Sequence, residues 1–114
     1  EYSVEIDWSY AGVLYEDELG RETFPKMLLA VERKKGLILF NMMLPPSRSQ
    51  PDVLFGMLDH LIEQHGKPTE IVVCDEDIKG ILADICKKIG IKMTVKKRLS
   101  ALNKVRNDLL DQIS

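Results

Sequence analysis

The sequence predicts an α/β domain, a mixed sheet of about five strands in which an antiparallel hairpin precedes a parallel β-α-β-α-β-α run. Three observations lead there. Two apolar runs, Met27 to Val31 and Leu37 to Phe40, flank the charged turn Lys34-Lys35-Gly36, as the arms of a hairpin of well-buried strands would. Beyond Pro51, runs of strand length alternate with apolar stripes of helical period. Strands joined through single helices need right-handed crossovers and therefore run parallel to each other.

Each element has its own local reason. Residues 1 to 26 form an acidic segment in which Ser3-Val4-Glu5-Ile6-Asp7 alternates like a half-buried strand, while Glu16-Asp17-Glu18 and Gly20 read as a loop. The hairpin follows. Pro45, Pro46 and Pro51 then stop the sheet, because proline lacks the ladder donor and restricts the residue before it. Asp52 is the expected cap of a helix whose stripe is Val53, Leu54, Met57, Leu58, Leu61 and Ile62, closed by Gly66 in a left-handed cap.

Glu70 to Cys74 is a second buried-strand pattern. The acids Asp75-Glu76-Asp77 then complement the positive end of a helix carrying Ile78, Ile81, Leu82, Ile85 and Ile89, which Gly90 ends. Ile91, Met93 and Val95 alternate with Lys92, Thr94 and Lys96 as a strand with one exposed face. Ser100 can cap a last helix with Leu102, Val105, Leu109 and Ile113 inward.

At 114 residues, 45% hydrophobic and 30% charged, the chain has the proportions of one domain, 1–114. Its longest apolar run, Met27 to Val31, is five residues, far short of the roughly 18 to 20 of a membrane span, so no membrane partner is expected. Cys74 and Cys86 read as small buried hydrophobes, and unlinked thiols suggest a reducing, cytoplasmic setting. His60 and His65 stand five apart on a helix, about 140° round, and read as solvated residues. No zinc spacing, phosphate-binding glycine loop or nucleophile elbow occurs, and no cofactor is expected.

The order strand, hairpin, helix, strand, helix, strand, helix resembles the ribonuclease H-like fold of ribonucleases H and of transposase and integrase cores. Its most suggestive piece is Gly66-Lys67-Pro68-Thr69-Glu70-Ile71-Val72-Val73-Cys74-Asp75, similar to the strand that precedes the second catalytic carboxylate of integrases. A closer resemblance is to an uncharacterised family of bacterial and archaeal domains of unknown function. That family shares the hairpin with Gly36, the Pro-Thr-Glu-Ile-Val-Val strand, the Ile-Gly-Ile junction and Leu99-Ser100-Ala101-Leu102.

The first resemblance implies a testable chemistry. Ribonuclease H-like enzymes gather three or four carboxylates to hold two magnesium or manganese ions about 3.5 to 4 Å apart. Asp75 takes the place of the second carboxylate, and Asp7 or, alternatively, Glu32 that of the first. Asp111, with 35 residues between it and Asp75, or Asp108 takes that of the third, where integrases use glutamate. Against this, acids at a helix start need no metal to explain them. The second resemblance implies no activity, and a non-catalytic protein-interaction or regulatory domain is the first expectation.

Charge supplies the last clue. The formal net charge of −2 conceals eight acids and two bases in residues 1 to 32, against eight bases and no acid from Lys87 to Arg106. Lys92, Lys96, Lys97, Arg98, Lys104 and Arg106 are therefore candidates for contacting phosphates or an acidic partner. The stretch contains no aromatic residue on which bases could stack, while Trp8 and Tyr10 lie in the acidic segment. A protein partner or self-association is expected first, nucleic acid second.

Overall fold

A computed structural model describes residues 1–10, 15–16, 20, 22–23, 26–45 and 47–113. Its elements are β1 (Ser3–Tyr10), β2 (Tyr15–Glu16), β3 (Glu22–Thr23), β4 (Lys26–Glu32), β5 (Ile38–Met43), α1 (Gln50–His65), β6 (Glu70–Val73), α2 (Glu76–Ile89), β7 (Lys92–Val95) and α3 (Ser100–Ile113). The main sheet has the order β5-β4-β1-β6-β7. β1 pairs with β4 and β4 with β5 antiparallel, whereas β1 with β6 and β6 with β7 are parallel. The mixed five-stranded sheet expected from the sequence is thus the sheet observed.

α1 and α2 cover one face. Val4, Ile6, Leu28, Ala30, Ile71 and Val73 pack there against Val53, Leu54, Met57, Leu58 and Leu61 of α1 and Ile78, Leu82 and Cys86 of α2. α3 covers the other face, where Leu29, Val31 and Val72 meet Leu99 and Leu102. Each of the buried Val, Leu, Ile and Met side chains among them contributes about 1.5–3 kcal/mol.

Several local expectations need correction. β1 is the central strand, and Val4, Glu5 and Ile6 are all at most 2% exposed. Its polar face looked solvated because Glu5, Asp7 and Ser9 alternate with apolar residues, yet that face lies beneath α3. β5 is an edge strand and only partly covered, with Ile38 40% and Met43 44% exposed, so the hairpin has one well-buried arm rather than two. In the acidic segment Tyr15 and Glu16 pair with Thr23 and Glu22, two short strands around the part read as a loop; Asp17 and Glu18 lie outside the described residues.

α1 begins before its proline. Ser49, not Asp52, is the cap, its side chain accepting from the Asp52 N–H at 3.3 Å, because a proline in the first turn has no N–H to waste. Gly66 and Gly90 both have φ of +80°, but only Gly90, with ψ 32°, is left-handed helical, whereas Gly66 has ψ 173°. Cys86 is buried, and burial pushes its thiol pKa up; Cys74 is exposed, its Sγ 3.4 Å from the Lys97 carbonyl oxygen. His60 and His65 are exposed, beside the rings of Phe40 and Tyr2. Trp8 is partly buried against the α1 and α2 core; the Tyr10 side chain lies outside the described residues.

Candidate functional site

In open α/β sheets the usual place for chemistry is the carboxyl end of the parallel strands. Here β1 and β6 are in register at Ile6 and Val73, so Asp7 and Asp75 both lie just past the end of the parallel pairing, although β1 itself continues to Tyr10 rather than ending at Asp7. α3 crosses the face above them in the direction of β1. One helical turn from Leu102 to Arg106 advances about 6 Å, nearly matching the two-residue step from Glu5 to Asp7 along the strand.

That match brings Arg106 beside Asp7, on the same helix as the third-carboxylate candidates Asp108 and Asp111. Arg106 donates from Nη2 to Asp7 Oδ2 at 3.0 Å and to the Trp8 carbonyl at 3.1 Å. Its Nε donates to Ser9 Oγ at 3.2 Å and its Nη1 to Asn103 Oδ1 at 3.0 Å. Every nitrogen of the guanidinium is engaged, and both members of the ion pair are less than a third exposed. A charge-assisted contact of this kind holds the Asp7 carboxylate to the scaffold.

Asp75 is occupied differently. It caps α2, with Oδ1 accepting from the Asp77 N–H at 2.7 Å. Glu32 belongs to the other end of the sheet. It pairs with Val4, about four residues or 13 Å along the strands from the level of Asp75, and its carboxylate accepts the N–H groups of Lys34 and Lys35 at 2.9 and 2.6 Å. The Lys35 N–H, more than any other contact, lowers its pKa. Asp108 is exposed on α3, about 200° round from Arg106, and lines grooves with Lys104. The Asp111 side chain lies outside the described residues. Among the described residues, no three His, Cys, Asp or Glu side chains gather to hold a metal ion. Of the implied donor set, Asp7 carries Arg106 and Asp75 caps α2.

The opposite end of the sheet holds a network that the sequence reading missed. Glu5, 2% exposed, accepts the Leu102 N–H at 2.9 Å and the Arg33 Nε–H at 3.2 Å. The Leu99 carbonyl accepts the first bond of α3, from the Asn103 N–H, so an apolar residue occupies the cap position and Glu5 replaces the cap from across the sheet. Arg33 also reaches Glu70 at 3.5 Å, and Glu70 accepts from Thr94 Oγ1 at 2.5 Å. The available signal was the alternation Glu5-Asp7-Ser9 within a strand otherwise apolar: polar side chains on a covered face must have partners.

The six basic candidates do not form one face. Lys96, Lys97 and Arg98 are exposed and follow β7 at the Asp75 end, with the Lys96 N–H donating to the Val73 carbonyl at 2.8 Å. Lys92 starts the same strand at the far end, 4.0 Å from Glu70. Lys104 is exposed on α3, and Arg106 turns inward to Asp7.

A mixed five-stranded sheet of this order, with helices on both faces, is a ribonuclease H-like fold of the kind seen in integrase catalytic cores. Solved structures agree. The catalytic core of BIV integrase is similar over 98% of this chain and 68% of that one, with TM-score 0.70 and 16% identity. The HTLV-2 integrase catalytic core in complex with magnesium, in its trimeric form, is similar over 98% and 70%, with TM-score 0.66 and 13% identity. The simian T-cell lymphotropic virus intasome in complex with PP2A regulatory subunit B56 gamma is similar over 97% and 40%, with TM-score 0.60 and 14% identity. No curated protein matches in sequence. Residues 1–110 match the domain of unknown function DUF6930, and the chain belongs to that family.

Proposed function

We propose that this chain is a non-catalytic ribonuclease H-like domain that works by binding protein, a further copy of itself included. The observation that carries the reading is Arg106 on Asp7: a guanidinium supplies the positive charge that a metal ion supplies in an active two-metal site. Asp75, as the cap of α2, has a structural task of its own. Support also comes from the kind of assembly named for two neighbours, a trimeric core and an intasome bound to a regulatory subunit. No helix among the described residues is long and apolar enough to cross a membrane, and the free thiols Cys74 and Cys86 suit a reducing compartment such as the cytoplasm.

Titration calorimetry with manganese tests this. The expected result is no saturable binding up to millimolar metal. Saturable binding that disappears in Asp7→Asn and Asp75→Asn, together with metal-dependent cleavage of DNA or RNA, overturns the reading.

A second reading rests on the exposed Lys96-Lys97-Arg98 loop beside Asp75. If that loop contacts phosphates, the chain binds nucleic acid with an affinity that falls steeply with salt and drops when all three residues are made alanine.

A further inference from the structure

The two edges of the main sheet are built differently. β7 carries lysines at both ends, Lys92 and Lys96, the usual protection of an edge against another strand. β5 has none. From Leu37 to Leu44 the chain contains no charged residue and no proline, and the outer side of β5 faces no strand among the described residues. Leu37 (54% exposed), Ile38 (40%) and Met43 (44%) all lie along this edge, where α3, lying over β1 and β4, leaves the sheet uncovered. Phe55 is the one other large apolar side chain as exposed among the described residues.

The register tells which main-chain groups are available. Leu44 donates its N–H inward to the Lys26 carbonyl at 2.8 Å. Antiparallel bonding alternates, so Met42 and Phe40 also bond inward to β4, while Asn41 and Met43 turn their N–H and C=O groups outward. A two-fold axis through Met42 would set Asn41 of each copy opposite Met43 of the other and close four main-chain hydrogen bonds. The same axis places Met42 against Met42 and Phe40 against Leu44 on the α1 side, so apolar side chains meet apolar side chains. The edge is therefore complementary to itself, as a closed two-fold interface requires.

We propose that two copies of this chain pair through β5 in antiparallel fashion, joining their sheets into one of ten strands. This rests on the protein-binding reading above and names its partner as a second copy. A short strand edge buries less surface than the 1,200–2,000 Å² of standard interfaces, so the dimer is reversible and governed by concentration.

Sedimentation velocity over a concentration series, roughly micromolar to millimolar, tests the proposal on the whole chain. The expected result is a mass that rises from monomer to dimer, with the amide hydrogens of Asn41 and Met43 gaining exchange protection in step. Met43→Lys is expected to keep the chain monomeric throughout. Asn41→Pro removes only an outward donor and is expected to do the same, with circular dichroism showing that both variants fold. Lys92→Glu on the opposite edge leaves the transition in place. A wild type that stays monomeric over the whole range, or a dimer unaffected by both β5 variants, overturns the proposal. Either failure is distinct from that of the non-catalytic reading, which falls on metal binding whatever the mass.

Discussion

Glu5 and Asp7 are two residues apart on one face of β1, under the same helix, and α3 treats them differently. Glu5 is almost completely buried and receives the helix itself, through the N–H of Leu102, together with Arg33. Asp7 is about a fifth exposed and receives a side chain, Arg106, from one turn further on. The first arrangement builds the fold, since a helix N-terminus and a carboxylate each satisfy the other. The second ties the same helix to the Asp75 end of β1. A strand with a polar face can therefore sit in the centre of a sheet when the covering helix brings a donor to each carboxylate.

If that contrast is right, the largest effect falls on Glu5. Glu5→Ala removes the cap of α3 and leaves the buried Leu102 N–H without its partner. The expected loss is about 2–4 kcal/mol in urea denaturation, because breaking a buried charged contact strands the remaining group. Glu5→Gln, whose amide oxygen can still accept from Leu102, should lose roughly half as much. A loss below about 0.5 kcal/mol in Glu5→Ala would break the comparison by showing that water replaces the carboxylate.

A smaller effect is expected at the other carboxylate. Arg106→Ala and Asp7→Asn should each cost about 1–2 kcal/mol, because both side chains keep some contact with water. In a double-mutant cycle the two losses should overlap by about 1 kcal/mol. Additive losses would mean that Arg106 is held by Ser9, Asn103 and the Trp8 carbonyl rather than by Asp7.

These residues also show what the sequence carries and what it conceals. The strand order was legible because proline, glycine and apolar period mark the element ends, and the parallel half follows from single-helix crossovers. Asp75 could be placed just past a strand end by the same reasoning, but Asp7, expected to end the first strand, lies inside a strand that runs on to Tyr10. What stayed hidden depends on the third dimension. Arg106 read as one of eight clustered bases, and only the phase of α3 over β1 turns it inward. Leu99 gave no sign of a helix cap because its cap is Glu5, separated from Leu102 by 96 residues. The exposure of β5 was equally invisible, since an apolar run looks the same in an edge strand and in a central one.

The finest test of the contrast lies in acid, at Glu70, which links the Glu5 end of β1 to β7. The hydroxyl of Thr94 is the main cause that holds the Glu70 carboxyl below the ordinary glutamate range, with the charges of Lys92, Arg33 and Lys96 adding to it. A carboxylate whose pKa is depressed by folding binds fewer protons in the native than in the unfolded chain. Its contribution is complete above the unfolded value of about 4.3 and is lost as pH falls from there through the depressed folded value. Thr94→Val removes the main cause, so its stability deficit should be present at neutral pH and shrink as pH falls through that acid window. The size should stay below about 1 kcal/mol, because the pair keeps access to water. Urea denaturation of wild type and Thr94→Val from neutral pH down through that window checks this, and a deficit that stays constant throughout would show that Thr94 does not hold the Glu70 carboxylate.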